Sequence, residues 1–266
     1  MQRIVKKTTL TIAVAVMAAF WATSAFAHTF WTTAEPAKPG EKPIIINGYS
    51  DFFPKAEPIE EKRLAFILPP EFIAPDGHKI PLEPGSANYL YVSSEPVKKG
   101  TYLVTGEYIP TFWTQTKEDG WAIKPKNEVT GTIVDSYRTA IYAKGIYNVD
   151  GAADTELITK PVGQKIELIP QSNPATLKVG EKFRMQLLYD GKPLANEPVY
   201  GLVEGYGGDL HNIKAFQNTT DKNGFVDFIP WKTGAWQMEV RYGIVPADTS
   251  KHNIDYWNAK LNFLVK

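Results

Sequence analysis

Residues 183–203 read FRMQLLYDGKPLANEPVYGLV: two strand-like runs, Phe183 to Tyr189 and Val199 to Val203, with Asp190-Gly191-Lys192-Pro193-Leu194 between them. An Asp-Gly pair between such runs is a strong short-range hairpin signal, because both residues tolerate the positive φ of a tight primed turn. Further along, Thr220-Asp221-Lys222-Asn223-Gly224 precedes the run Phe225 to Ile229, and Gly234-Ala235-Trp236 opens the run Trp236 to Tyr242. Within it Gln237 to Arg241 alternates polar and apolar, as expected of a sheet with one wet face. Leu177 to Glu181 has the look of an entering immunoglobulin-type strand, and Lys260 to Val265 reads as the last strand.

The same pattern extends towards the N-terminus. Ile44 to Asn47, Leu64 to Leu68, Tyr89 to Ser93 and Tyr102 to Tyr108 are rich in β-branched and aromatic residues, and Asp76-Gly77 marks another turn. Helix signals are scarce. Val149-Asp-Gly-Ala-Ala-Asp-Thr155 breaks the pattern and a new β unit begins at Lys165. The expectation is an all-β chain of two immunoglobulin-like antiparallel β-sandwich modules, residues 28–155 and 164–266, behind a signal peptide at 1–27.

That leader is read from Arg3, Lys6 and Lys7, an apolar run from Leu10 to Trp21, and Ala25 and Ala27 at the positions of an A-x-A cleavage site. Cleavage after Ala27 makes His28 the new N-terminus. Of 266 residues, 29 are basic and 29 acidic; losing three basic residues leaves 26 against 29, a formal charge of −3 on the exported chain. Neither value draws a polyanion, so no nucleic acid is expected as a partner. No later apolar run is long enough to span a bilayer, so no membrane insertion is expected after cleavage, and a periplasmic location follows most simply. With no Cys in the chain, disulfides, thiolate metal sites and cysteine nucleophiles are excluded.

Asp190-Gly191-Lys192-Pro193-Leu194 to Pro198-Val199, Thr220 to Gly224 and Gly234-Ala235-Trp236 together resemble the DUF4198 family. In the first half Gly48-Tyr49-Ser50-Asp51-Phe52-Phe53-Pro54, Gly100 to Leu103, Thr111-Phe112-Trp113 and Gly120-Trp121 are similar to it as well. The resemblance implies an exported, β-rich protein associated with nickel or cobalt uptake. Where that family often carries Gly-His ahead of Phe-Pro, this chain has Ser50-Asp51, an oxygen donor.

The four histidines are His28, His78, His211 and His252. An N-terminal His can close a chelate ring on a divalent metal with its amine and imidazole Nδ1, nitrogen donors that suit nickel, cobalt, copper and zinc. Because the amine has a pKa of about 8, the metal must displace a proton. His211 lies in the glycine-rich stretch 205–211 and His252 in the polar stretch 247–255; Asp51 would add a ligand from the first module, whereas His78, in a turn, reads as a solvated loop residue. The expected metal set is therefore His28, Asp51, His211 and His252, on a divalent transition metal passed to a membrane uptake transporter, without enzymatic activity.

Two other readings compete. Trp113 and Trp121 flank a polar loop and suit the role of surface platforms for sugar rings in an exported carbohydrate-binding or adhesive module, while Trp236 reads as core. An N-terminal His on a β-sandwich is also how copper-dependent oxidative enzymes hold their metal. Hydrolase elbows, zinc-protease helices, phosphate loops and EF-hand spacing are all missing from the sequence.

Overall fold

The computed structural model describes residues 29–206 and 213–266. The leader 1–27, His28 and His211 lie outside the described residues. The first half carries β1 (Thr29–Ala34), β2 (Ile44–Ser50), the short helix α1 (Glu61–Leu64), β3 (Glu71–Ile73), β4 (Lys79–Ile80), β5 (Leu82–Pro84), β6 (Leu90–Ser93), β7 (Gly100–Thr116), β8 (Gly120–Ala122) and β9 (Ile133–Val149). The second half carries β10 (Ile166–Pro170), β11 (Phe183–Tyr189), β12 (Lys192–Pro193), β13 (Pro198–Val203), β14 (Phe216–Thr219), β15 (Phe225–Phe228), β16 (Gly234–Ile244) and β17 (Ile254–Val265). The chain is all-β, as expected, and no described helix is long and apolar enough to cross a membrane.

These strands form three sheets. A long one runs β14-β13-β16-β17-β9-β7-β3-β4 with β8 added to β7; the two smaller ones run β1-β2-β6-β5 and β10-β11-β12 with β15 on β11. The expected hairpin is present: Asp190 and Gly191 take φ of 49° and 70°, and Tyr189 pairs with Lys192. Asp221 Oδ1 accepts hydrogen bonds from the Asn223 and Phe225 amides and so shapes the turn into β15.

The segment 150–165 does separate β9 from β10 in sequence, yet β17 pairs parallel with β9 from Ile254↔Tyr137 to Asn262↔Gly145. The regions 28–155 and 164–266 therefore share one sheet. They share a core too: Leu103, Ala140 and Ile146 of the first half pack with Phe183, Met185, Trp236 and Phe263 of the second. Trp236, fully buried as expected, stands edge-on to Phe228 at 4.7 Å and donates its indole N–H to the Lys232 carbonyl at 2.9 Å. Burying a side chain of that kind contributes roughly 1.5–3 kcal/mol.

Strand periodicity gives the long sheet two different faces. On one face Trp236, Met238 and Val240 of β16 and Ala259, Leu261 and Phe263 of β17 meet the β10–β11–β15 sheet. The residues between them, Gln237, Glu239 and Arg241 on β16 and Asn258, Lys260 and Asn262 on β17, turn the other way. A separate core on that second face joins Tyr102 and Val104 of β7 and Tyr147 and Val149 of β9 to Ile45 and Ala34 of the β1–β2 sheet.

Strand β1 crosses the second face closely enough that a Cβ added at Gly145 would lie 2.3 Å from the Thr32 carbonyl oxygen. The face expected to be wet is thus dry at Gln237, which is fully buried. Its amide is satisfied there: Thr29 Oγ1 donates to Gln237 Oε1 at 2.9 Å, and Gln237 Nε2 donates to Asn262 Oδ1 at 2.9 Å. Asn262 Nδ2 in turn donates to the Thr32 and Lys144 carbonyls. The chain of amides pins β1 to the sheet, since a buried polar group without a partner costs about 1–3 kcal/mol. Beside Thr29 the polar face lines a cavity.

Candidate functional site

The cavity has a volume of about 530 Å³. Its floor is the polar face of the long sheet: Glu239 and Arg241 on β16, Asn258 and Lys260 on β17, and Thr139 and Ile141 on β9. Aromatic side chains make much of its wall, namely Tyr49 at the end of β2, Tyr108 and Trp113 on β7, Trp121 on β8, and Tyr137. Both halves of the chain contribute, so the site exists only because β9 and β17 pair.

Trp113 and Trp121, the expected platforms, both line this cavity and are both half-buried. Trp121 lies 5.4 Å from Tyr137, which stands edge-on to Tyr256 at 5.5 Å. Tyr49 stacks with Tyr108 at 6.3 Å and 13°. The guanidinium of Arg63, carried by α1, sits 4.9 Å from the Trp113 ring centre and 5.4 Å from that of Tyr49, while its Nε donates to Glu60 at 2.9 Å. Cation–π contacts of this kind fix ring orientation and contribute on the order of 0.5–1 kcal/mol at exposed sites. Burial pushes the Tyr49 phenol above its ordinary range, with the Arg63 charge acting against it, and the Tyr137 phenol is raised by burial too.

A charged cluster occupies the floor. Lys214 and Lys260 both contact the carboxylate of Glu239, one on each oxygen. Burial pulls both ammonium groups down to about 7; the charge of Lys260 lowers Lys214 further, and that of Arg241 lowers Lys260. Arg241 stacks on Tyr256 at 3.7 Å and lies 5.8 Å from Tyr137. Among the described residues it makes no ion pair.

Of the expected metal ligands, His252 and Asp51 are among the described residues. His252 is buried with Nε2 2.7 Å from Asp255 Oδ1, and Asp255 also takes Arg138 Nε at 2.7 Å and Nη2 at 3.0 Å. Its ring stands edge-on to Phe112 at 5.2 Å, so this histidine is built into the hydrogen-bonded surroundings of the Arg138–Asp255 ion pair. Asp51 directly follows β2 in the bend that leads to the cis Phe53-Pro54 bond, and neither it nor His252 lines the cavity. His78 is half exposed and hydrogen-bonded to Asp76 at 2.6 Å, which raises its pKa. Among the described residues no group of three or more His, Asp or Glu side chains is arranged to hold a metal. The described residues therefore supply no complete donor set of their own.

Sequence reading did not single out Tyr49, Arg63, Lys214, Glu239, Arg241 or Lys260 for the site. A signal for three of them exists: polar residues at every second position of 237–241 and 258–262 mark a face that needs polar company. Arg63 and Lys214 come from a short helix and a loop, where no periodicity operates.

The family described as "Domain of unknown function (DUF4198)" matches residues 25–243. The chain belongs to the DUF4198 family. The matched region takes in β1 through most of β16 but ends before β17, which supplies Asn258 and Lys260 to the cavity floor. No curated protein matches this DUF4198 chain. Among solved structures, the D0-D1 domain of intimin matches at 14% identity with a TM-score of 0.20, over 87% of this chain and 96% of that one. Trypsin-activated alpha-2-macroglobulin from Escherichia coli matches at 14% identity and a TM-score of 0.21, over 90% of this chain but only 16% of that one.

Proposed function

We propose that this DUF4198 chain is an exported, non-enzymatic binding protein that takes a small ring-bearing ligand, a carbohydrate in the first place, into the cavity between its two halves. One observation carries this reading: Trp113 and Trp121 line one concave site together with four tyrosines, among them Tyr200. Ligand sites are concave, rich in aromatic surface, and equipped with a few polar groups that fix orientation. Sugar rings offer flat C–H faces to such walls and hydroxyls to groups such as Asn258 and Thr139. Glycan-array binding by the mature chain, retained in chelator and weakened in Trp113→Ala, tests this. Binding unchanged by Trp113→Ala, or abolished by chelator, sinks it.

A second reading is favoured by a different observation: Thr29, the residue after His28, is itself a wall residue of the cavity. Processing after Ala27 would equip this end of the chain with an amine and an imidazole, donors for nickel or cobalt destined for a membrane uptake transporter. Titration calorimetry of the processed chain against nickel and cobalt, beside a chain that retains Met before His28, decides it. Equal heats from the two chains, or none from the processed one, refute metal chelation at His28.

A further inference from the structure

Among the described residues the charges facing the cavity are unbalanced. Four cationic side chains, Arg63, Lys214, Arg241 and Lys260, face one described lining carboxylate, Glu239. Arg63 is answered from outside the lining by Glu60. Glu239 is divided between Lys214 and Lys260, so one carboxylate serves two ammonium groups. Arg241 has aromatic rings beside it and, among the described residues, no carboxylate.

Holding such a surplus beside a largely aromatic wall is unfavourable in the empty site. The side chains of Lys260 and Glu239 are only 10% and 12% exposed, so water screens that pair weakly, while Lys214 and Arg241 keep contact with solvent. Burial lowers the pKa of both lysines, and the neighbouring cations Lys260 and Arg241 lower them further. A floor of this kind is useful when the incoming group brings the missing negative charge. Guanidinium and ammonium groups around a carboxylate make charge-assisted hydrogen bonds, about twice as strong as neutral ones.

We infer that the ligand of this cavity is an acid: a ring that stacks on the Trp113 and Trp121 wall and carries a carboxylate received by Arg241, Lys260 and Lys214. The inference rests on the reading of the cavity as a ring-binding site and specifies the ligand's charge. Galacturonate and benzoate share that chemistry, one as a sugar acid and the other as an aromatic acid. A bare divalent cation is repelled by the same floor.

The test uses the mature chain, residues 28–266, on an array of neutral and carboxylated glycans, with benzoate titrated separately by tryptophan fluorescence. The expected result is retention of carboxylated glycans over their neutral counterparts, with affinity falling at least tenfold in Arg241→Gln and in Lys260→Met. Arg241 is exposed, so its substitution keeps the test valid if Lys260→Met fails to fold. Benzoate quenching without glycan retention upholds the acid and overturns the sugar. Equal retention of neutral and carboxylated glycans overturns the acid alone, leaving the carbohydrate reading intact. No retention and no quenching overturns both.

Discussion

Lys144 Nζ lies 3.0 Å from Glu167 Oε2, and both side chains are 2% exposed. Lys144 belongs to β9 and Glu167 to β10, so this buried ion pair bridges the break between the two halves of the sequence. Glu167 also accepts the amide hydrogens of Val162 and Gly163, each at 3.0 Å, and thereby shapes the connecting loop. Burial lowers the Lys144 pKa, and Glu167 opposes the shift. Lys144→Met leaves a buried carboxylate without its counter-charge and is expected to cost about 3–5 kcal/mol. Urea denaturation reads the loss; a change under about 1 kcal/mol would show that the pair holds nothing together.

Trp236→Ala empties the centre of the shared core, where Phe228, Phe263 and Phe183 converge. A loss of about 3–5 kcal/mol is expected. Trp236→Phe should recover most of it while leaving the Lys232 carbonyl without its indole donor. Thermal unfolding of the two variants separates volume from hydrogen bonding.

His252→Ala removes a hydrogen-bond partner from Asp255 and is expected to destabilise the chain by about 1.5–3 kcal/mol, the range for bonds to charged groups. Nickel and cobalt heats should be the same as in the unaltered protein, because its Nε2 is engaged by Asp255 and no group of donors among the described residues surrounds its buried Nδ1. A drop in metal stoichiometry without loss of stability would return His252 to the ligand set.

The floor lysines give two pH dependences of opposite sign. Lys214 and Lys260 titrate near 7 in the fold, against 10.5 for a free lysine, so between those values the unfolded chain holds more protons. Stability of the empty protein should therefore climb as pH rises from about 7 towards 10. Carboxylate affinity should fall over the same rise, because the lysines that receive the ligand lose their charge. The charged and titratable side chains that line the cavity around them are Glu239 and Arg241 on β16, Tyr200 on β13 and Tyr137 on β9. Urea midpoints and galacturonate titrations at pH 6, 7.5 and 9 check both slopes, and Lys260→Met should flatten each.

Trp113→Ala should weaken ring binding about tenfold, which corresponds to about 1.4 kcal/mol. It also deprives Arg63 of one of its two stacking partners. The melting temperature should shift little, since Trp113 is half-buried at the cavity wall. A large fall in melting temperature would assign Trp113 to packing.

Turns and strands were legible in the sequence because they are local: Asp190-Gly191 carries its own φ preference, and Trp236 follows the glycine that starts its strand. The two tryptophans of the wall were legible as aromatic residues flanking a polar loop. Their company was not. Arg63 meets Trp113 through a fifty-residue separation, and Glu239 meets Lys214 and Lys260 only once β13, β16 and β17 are side by side. The alternation of 237–241 announced a polar face without saying that β1 would cover one end of it. The pairing of β17 with β9 was equally hidden, since parallel register between distant strands leaves no mark in either strand alone.

That pairing decides how the protein comes apart. A single cut by a protease in the loop 150–164 would leave the backbone in two pieces still held by a continuous hydrogen-bonded ladder, a common core and the Lys144–Glu167 bridge. The nicked chain should elute as one species under native conditions. Expressed from separate genes, the pieces should recover a cavity together that neither has alone, so that loss of one half is loss of the whole site.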